Sequence, residues 1–87
     1  MNIKILGPGC ARCHQLEKTT REVVKELGIE ATVEEVKDIN KIVEYAILTT
    51  PGLVIDEELV CAGRVPTKDE LTHLIANALT KEDKTGR

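Results

Sequence analysis

Cys10 and Cys13 are the residues of this 87-residue chain best suited to chemistry. They stand in the stretch Gly7-Pro8-Gly9-Cys10-Ala11-Arg12-Cys13-His14. Read literally, Cys10 to His14 is C-x-x-C-H, the attachment signature of a c-type haem. Its first four residues also form the C-x-x-C of a dithiol redox site, and two close cysteines are half of a metal site. The residues around the motif decide among the three.

The elements that must position the pair follow from the hydrophobic pattern. Residues 2–6 read as a strand, with Ile3 and Ile5 on one face and Lys4 and Leu6 on the other. From Cys10 to Leu27 the pattern is helical: Cys13, Leu16, Thr20, Val23, Val24 and Leu27 share one face, and Gly28 is a natural stop. Residues 31–36 read as a second strand of mixed polarity, suited to a sheet edge. Asp38 is placed to cap a short helix with an apolar stripe of Ile39, Ile42, Val43, Ala46 and Ile47. Residues 52–56 form a continuous apolar strand after Pro51, and a tight turn at Glu57-Glu58 leads into a strand over 59–63. Thr67 and Glu70 form a capping box, with Pro66 and Leu71 as a hydrophobic staple. The last helix buries Leu71, Leu74, Ile75, Ala78 and Leu79. The order β-α-β-α-β-β-α predicts one mixed sheet flanked by helices in a single α/β domain, residues 1–80. Residues 81–87 are expected to form a charged, frayed tail.

At the strand-to-helix junction, unpaired amides and the helix dipole favour a thiolate at Cys10, and Arg12 adds a positive charge. Cys13, one helical turn on, is close enough to form a disulfide with it and sits on the buried stripe. Cys10 is therefore expected to be exposed and nucleophilic, and Cys13 shielded. That asymmetry suits thiol–disulfide exchange: Cys10 attacks a substrate disulfide and Cys13 resolves the mixed disulfide.

Composition narrows the function further. Hydrophobic residues are 41% of the chain, and Tyr45 is its sole aromatic, so the core is aliphatic. A formal net charge of −3 and the lack of a basic stripe argue against nucleic-acid binding. No segment reads as a signal peptide or membrane span, so a cytoplasmic location is expected. Three cysteines exclude a fully paired disulfide framework within one chain. Haem is not expected, because c-type attachment is extracytoplasmic and Met1 is the sole methionine. His14 then reads as a surface residue. A metal or metalloid role joins Cys10 and Cys13 with Cys61, His14 or His73, but a second close ligand pair is missing. A binding module without turnover is the other alternative. Cys61 reads as a small buried hydrophobe, His73 as solvated and Tyr45 as a packing residue.

On Gly7-x-Gly9-Cys10-x-x-Cys13, Thr49-x-Pro51, the apolar strand 52–56 and the hairpin to Gly63-Arg64, the chain resembles the thioredoxin superfamily. Within it, the chain is most similar to the small archaeal and bacterial redox-active disulfide proteins, a glutaredoxin-like thioredoxin group. The resemblance spans roughly residues 2–80. It implies a thioredoxin-like fold with a four-stranded sheet ordered 2-1-3-4. It implies a cis peptide before Pro51, which lies beside the cysteine pair, and Thr50 as a backbone partner for an extended substrate. It implies disulfide-containing protein substrates, an upstream disulfide reductase, a monomer and no bound cofactor. Thioredoxins have Trp before the motif and Gly-Pro inside it, where this chain has Gly9 and Ala11-Arg12. They also carry a buried acid in the preceding strand, where this chain has Lys4. Glu17, one turn after Cys13, is the candidate substitute as proton acceptor. The glutathione-binding pattern of glutaredoxins is absent at Ala62 to Pro66.

Overall fold

The computed structural model describes residues 1–9, 11–45, 47 and 49–85, the last five as backbone alone. Cys10 and Ala46 lie outside the described residues. Four strands and three α-helices follow in the order β1 (Asn2–Leu6), α1 (Ala11–Leu27), β2 (Thr32–Val36), α2 (Ile39–Ile42), β3 (Gly52–Ile55), β4 (Glu58–Ala62) and α3 (Lys68–Thr85). A single 3₁₀ turn, Val43–Tyr45, extends α2.

The sheet runs β2-β1-β3-β4. β1 and β2, joined through α1, are parallel, as a helical crossover requires. β3 pairs antiparallel with both β1 and β4. The alternation in β1 divides the core. Ile3 and Ile5 join Leu16 and Val23 of α1, Leu53 and Ile55 of β3, and Leu71 and Ile75 of α3 in the main cluster. Leu6 faces the other way, with Ile42, Ile47 and Val54. All four residues of β3 are buried, which is why that strand reads as unbroken apolar sequence.

Three local expectations change. The β3–β4 turn falls at Asp56-Glu57 rather than Glu57-Glu58, so β3 ends and β4 begins one residue earlier. Both turn residues have positive φ, 49° and 69°, the geometry of a type I′ hairpin whose twist matches the strands. The stripe on α2 is only partly buried: Ile42 and Ile47 face the sheet, while Ile39 and Val43 are 61% and 56% exposed. A four-residue helix that tightens to 3₁₀ cannot keep one face of 3.6-residue period against the sheet. Leu27, at the end of α1, is exposed as well. The last helix, α3, runs on to Thr85.

The cap of α3 forms as its sequence requires. Glu70 N donates to Thr67 Oγ1 and Thr67 N donates to Glu70 Oε1, each at 3.2 Å. Arg64 adds two hydrogen bonds to the same carboxylate, at 3.1 and 2.7 Å. These contacts, Arg64 first and then the Thr67 amide, hold the Glu70 pKa down at about 2 rather than 4.5. A carboxylate whose pKa is depressed on folding stabilises above its unfolded pKa and loses that contribution as pH falls toward the folded value. Stability is therefore expected to decline between pH 4.5 and about 2 more steeply in the parent than in Glu70→Gln. Urea unfolding across that range tests this. Parallel curves would refute the link.

Candidate functional site

β1 ends at Leu6 and α1 begins at Ala11, so the C-x-x-C motif spans the junction of strand and helix. Cys10 precedes the first described residue of α1. Cys13 lies one turn in, on the face shared with Leu16, Thr20 and Val23, and is fully buried. Its sulfur is seated over the backbone of Gly7. A side-chain carbon at Gly7 would fall within 3.0 Å of Cys13 Sγ, closer than real Cβ atoms come. The same point is 3.9 Å from Thr50 Cβ. Gly7, Cys13 and Thr50 thus converge at one end of the sheet.

The Thr50–Pro51 peptide is cis, and Pro51 is fully buried. Its carbonyl accepts a hydrogen bond from Gly63 N at 2.9 Å, which ties the segment before β3 to the residue after β4. Thr50 is half-buried and Arg12 is exposed on the first turn of α1. On the β2 side, Gly7 N donates to Val36 O at 3.0 Å. Lys37, the next residue, lays its stem against Gly9: Lys37 Cε is 3.7 Å from where a Gly9 Cβ would stand. The residue before Cys10 is thus flanked by a lysine that sequence reading had passed over. Its signal was weak, since a lysine after a strand usually faces only solvent.

His14 is exposed but not isolated. Its Nδ1 lies 3.3 Å from Glu35 Oε1 on β2. Glu17 is engaged by Arg21, through Oε2 at 2.8 and 3.1 Å, and Arg21 also donates to Val33 O. Glu17 also meets Glu35, and that contact first and Arg21 second hold its carboxyl below the usual range. The candidate proton acceptor therefore faces β2 and Arg21.

The remaining candidates fall away from this convergence. Cys61 is partly buried on β4 opposite Leu53 and packs on the main core. His73 is exposed on α3. Tyr45 is half-buried, and its hydroxyl accepts from Lys4 Nζ at 3.1 Å. Glu57 also takes Lys4, at 2.7 Å, so the lysine that stands in the strand before the motif is held toward the β3–β4 turn.

A mixed four-stranded sheet ordered β2-β1-β3-β4 and flanked by helices, with a cis-proline ahead of β3 and a C-x-x-C sequence between β1 and α1, defines a thioredoxin-like fold. The chain belongs to the thioredoxin family: the Thioredoxin domain profile matches residues 1–76. It is 46% identical over 76 residues to a thioredoxin of Methanothermobacter thermautotrophicus, covering 87% of this chain and 99% of that one. It is 38% identical over 69 residues to a thioredoxin of Methanocaldococcus jannaschii, covering 79% of each chain.

Proposed function

We propose that this chain is a thioredoxin-type protein disulfide oxidoreductase that cycles Cys10 and Cys13 between dithiol and disulfide. One observation carries the assignment most directly. Cys13 is sealed on the inner face of α1, with its sulfur over Gly7 and beside Thr50, one turn from the motif's first cysteine. A shielded second thiol is what a resolving cysteine needs, because it reacts with its neighbour in the chain and not with solvent.

The cycle follows. The Cys10 thiolate attacks one sulfur of a substrate disulfide. The substrate S–S bond breaks, one substrate sulfur leaves as thiolate and takes up a proton, and Cys10 holds the other as a mixed disulfide. Cys13 gives up its proton and attacks Cys10 Sγ, releasing the second substrate thiol. The substrate gains two electrons and the protein closes its own disulfide. An upstream disulfide reductase then returns the pair to dithiol. The α1 N-terminus and Arg12 favour the Cys10 thiolate. Thr50 offers its backbone to an extended substrate beside Pro51. The electrons are carried by the two sulfurs, so no bound cofactor is required. Three thiols and a net charge of −3 suit a reducing cytoplasm and protein partners rather than nucleic acid. No described helix is long and apolar enough to cross a membrane.

Intact mass after equilibration in graded thiol–disulfide buffers, with rapid alkylation, tests the assignment. Two labels are expected to vanish together in one reversible two-electron transition and to map to Cys10 and Cys13, while Cys61 stays labelled. Three thiols oxidising independently would overturn it.

A further inference from the structure

His14 and Glu17 project from the same side of α1, at i and i+3, toward Glu35 on the edge strand β2. One ligand atom from each of the three lies within 4.8 Å of the others. Glu17, the candidate proton acceptor, is held by Arg21 at β2, and the proposed cycle routes no sulfur through any of the three. We propose that His14, Glu17 and Glu35 form a binding site for a divalent zinc-class cation, beside but separate from the cysteine pair.

The geometry fits such an ion. Ligands about 2.1 Å from a tetrahedral metal stand about 3.4 Å apart. His14 Nδ1 and Glu35 Oε1 are 3.3 Å apart. One imidazole nitrogen and two carboxylates form a mixed nitrogen–oxygen donor set, which suits Zn²⁺ better than the all-oxygen cations. Three protein donors leave a fourth position for water.

A second observation points to a ligand. Glu35 Oε2 is shut off from solvent and has no hydrogen-bond donor among the described residues. Lys37 Nζ stands 3.6 Å from it, an ion pair without a hydrogen bond. A buried carboxylate oxygen left in that state is costly, and a cation that draws it in removes the cost. Arg21, bonded to both Glu17 and Val33 O, orients the Glu17 carboxylate toward β2. Arg21 and Lys37 already balance the two acids, so the expected affinity is micromolar rather than that of a closed structural zinc site.

The test separates this site from the thiols. Zinc chloride is titrated calorimetrically into the full chain with Cys10, Cys13 and Cys61 all changed to serine. One ion per chain is expected. Glu35→Gln and His14→Ala should each weaken binding at least about tenfold. Glu34→Gln, an exposed neighbour on β2, should leave it unchanged. No saturable binding, or binding that survives Glu35→Gln, overturns the proposal. If the serine variant does not fold, the same question is put to the oxidised parent by imidazole NMR, since the chain has two histidines. Zinc should shift His14 and leave His73 in place. Equal shifts, or none, overturn it.

Discussion

Cys10→Ser is expected to bring reduction of a protein disulfide down to background, at least about a hundredfold below the parent. Cys13→Ser is expected to do something different. It should still attack, then stall, and accumulate covalent adducts with target proteins that dithiothreitol releases. The reason is the division of labour between the two sulfurs. Attack needs an accessible thiolate, and the helix start supplies the amides and dipole that favour one. Resolution needs a thiol that only the first cysteine reaches, and Cys13 is fully buried on the helix's inner face. Cys61→Ser should leave turnover nearly unchanged, because Cys61 packs on the core from β4. Insulin-type turbidity or a fluorescent disulfide substrate measures turnover, and non-reducing mass spectrometry detects the trapped adduct. Full activity in Cys10→Ser would end the mechanism. Adducts trapped by Cys10→Ser rather than by Cys13→Ser would reverse the two roles.

Gly7→Ala should be strongly destabilising for so small an addition. The new carbon would enter the space held by Cys13 Sγ, and neither side can move freely: Gly7 is buried next to β1 and Cys13 is locked on α1. Overpacking of this kind costs about 1–3 kcal/mol. The sign of the cause is testable by a double-mutant cycle with Cys13→Ala. That change removes the sulfur and leaves the Cys13 Cβ 3.4 Å from the added carbon, an ordinary contact. Most of the Gly7→Ala penalty should then vanish, giving a coupling energy well above the scatter of independent sites. An undiminished penalty in the Cys13→Ala background would mean that the backbone at Gly7, and not the sulfur, sets the cost. Gly28→Ala is the useful contrast. Nothing lies within 4 Å of a carbon there, but φ is +65°, so its cost is conformational and independent of Cys13.

Much of this molecule was legible in its sequence because the relevant physics is local. The alternation of Ile3 and Ile5 against Lys4 and Leu6 determined which face of β1 met which core. The three- and four-residue spacing through Cys13, Leu16, Thr20 and Val23 determined the inner face of α1, and with it which cysteine is shielded. Thr67 and Glu70 marked the start of α3 because a capping box satisfies its own amides. The proposal for Cys10 and Cys13 comes from the same local physics: three-residue spacing at a helix start is what a dithiol pair needs.

The tertiary structure decided what depends on residues distant in the chain. Gly7 stood in the sequence only as the first glycine before the cysteine motif, and only the docking of α1 over β1 shows that its missing side chain makes room for the Cys13 sulfur. Lys37 carried no signal in the sequence, and its packing on Gly9 depends on β2 lying parallel beside β1. Glu35 read as one of two acids on an edge strand. Its meeting with His14 and Glu17 depends on which face of β2 the helix covers, and strand register sets that. The short reach of α2 was not legible either, because an apolar stripe records which residues are able to bury and not how many turns the sheet has room to cover. Side-chain period is a property of the local backbone, whereas the pairing of two periods is a property of the packed molecule.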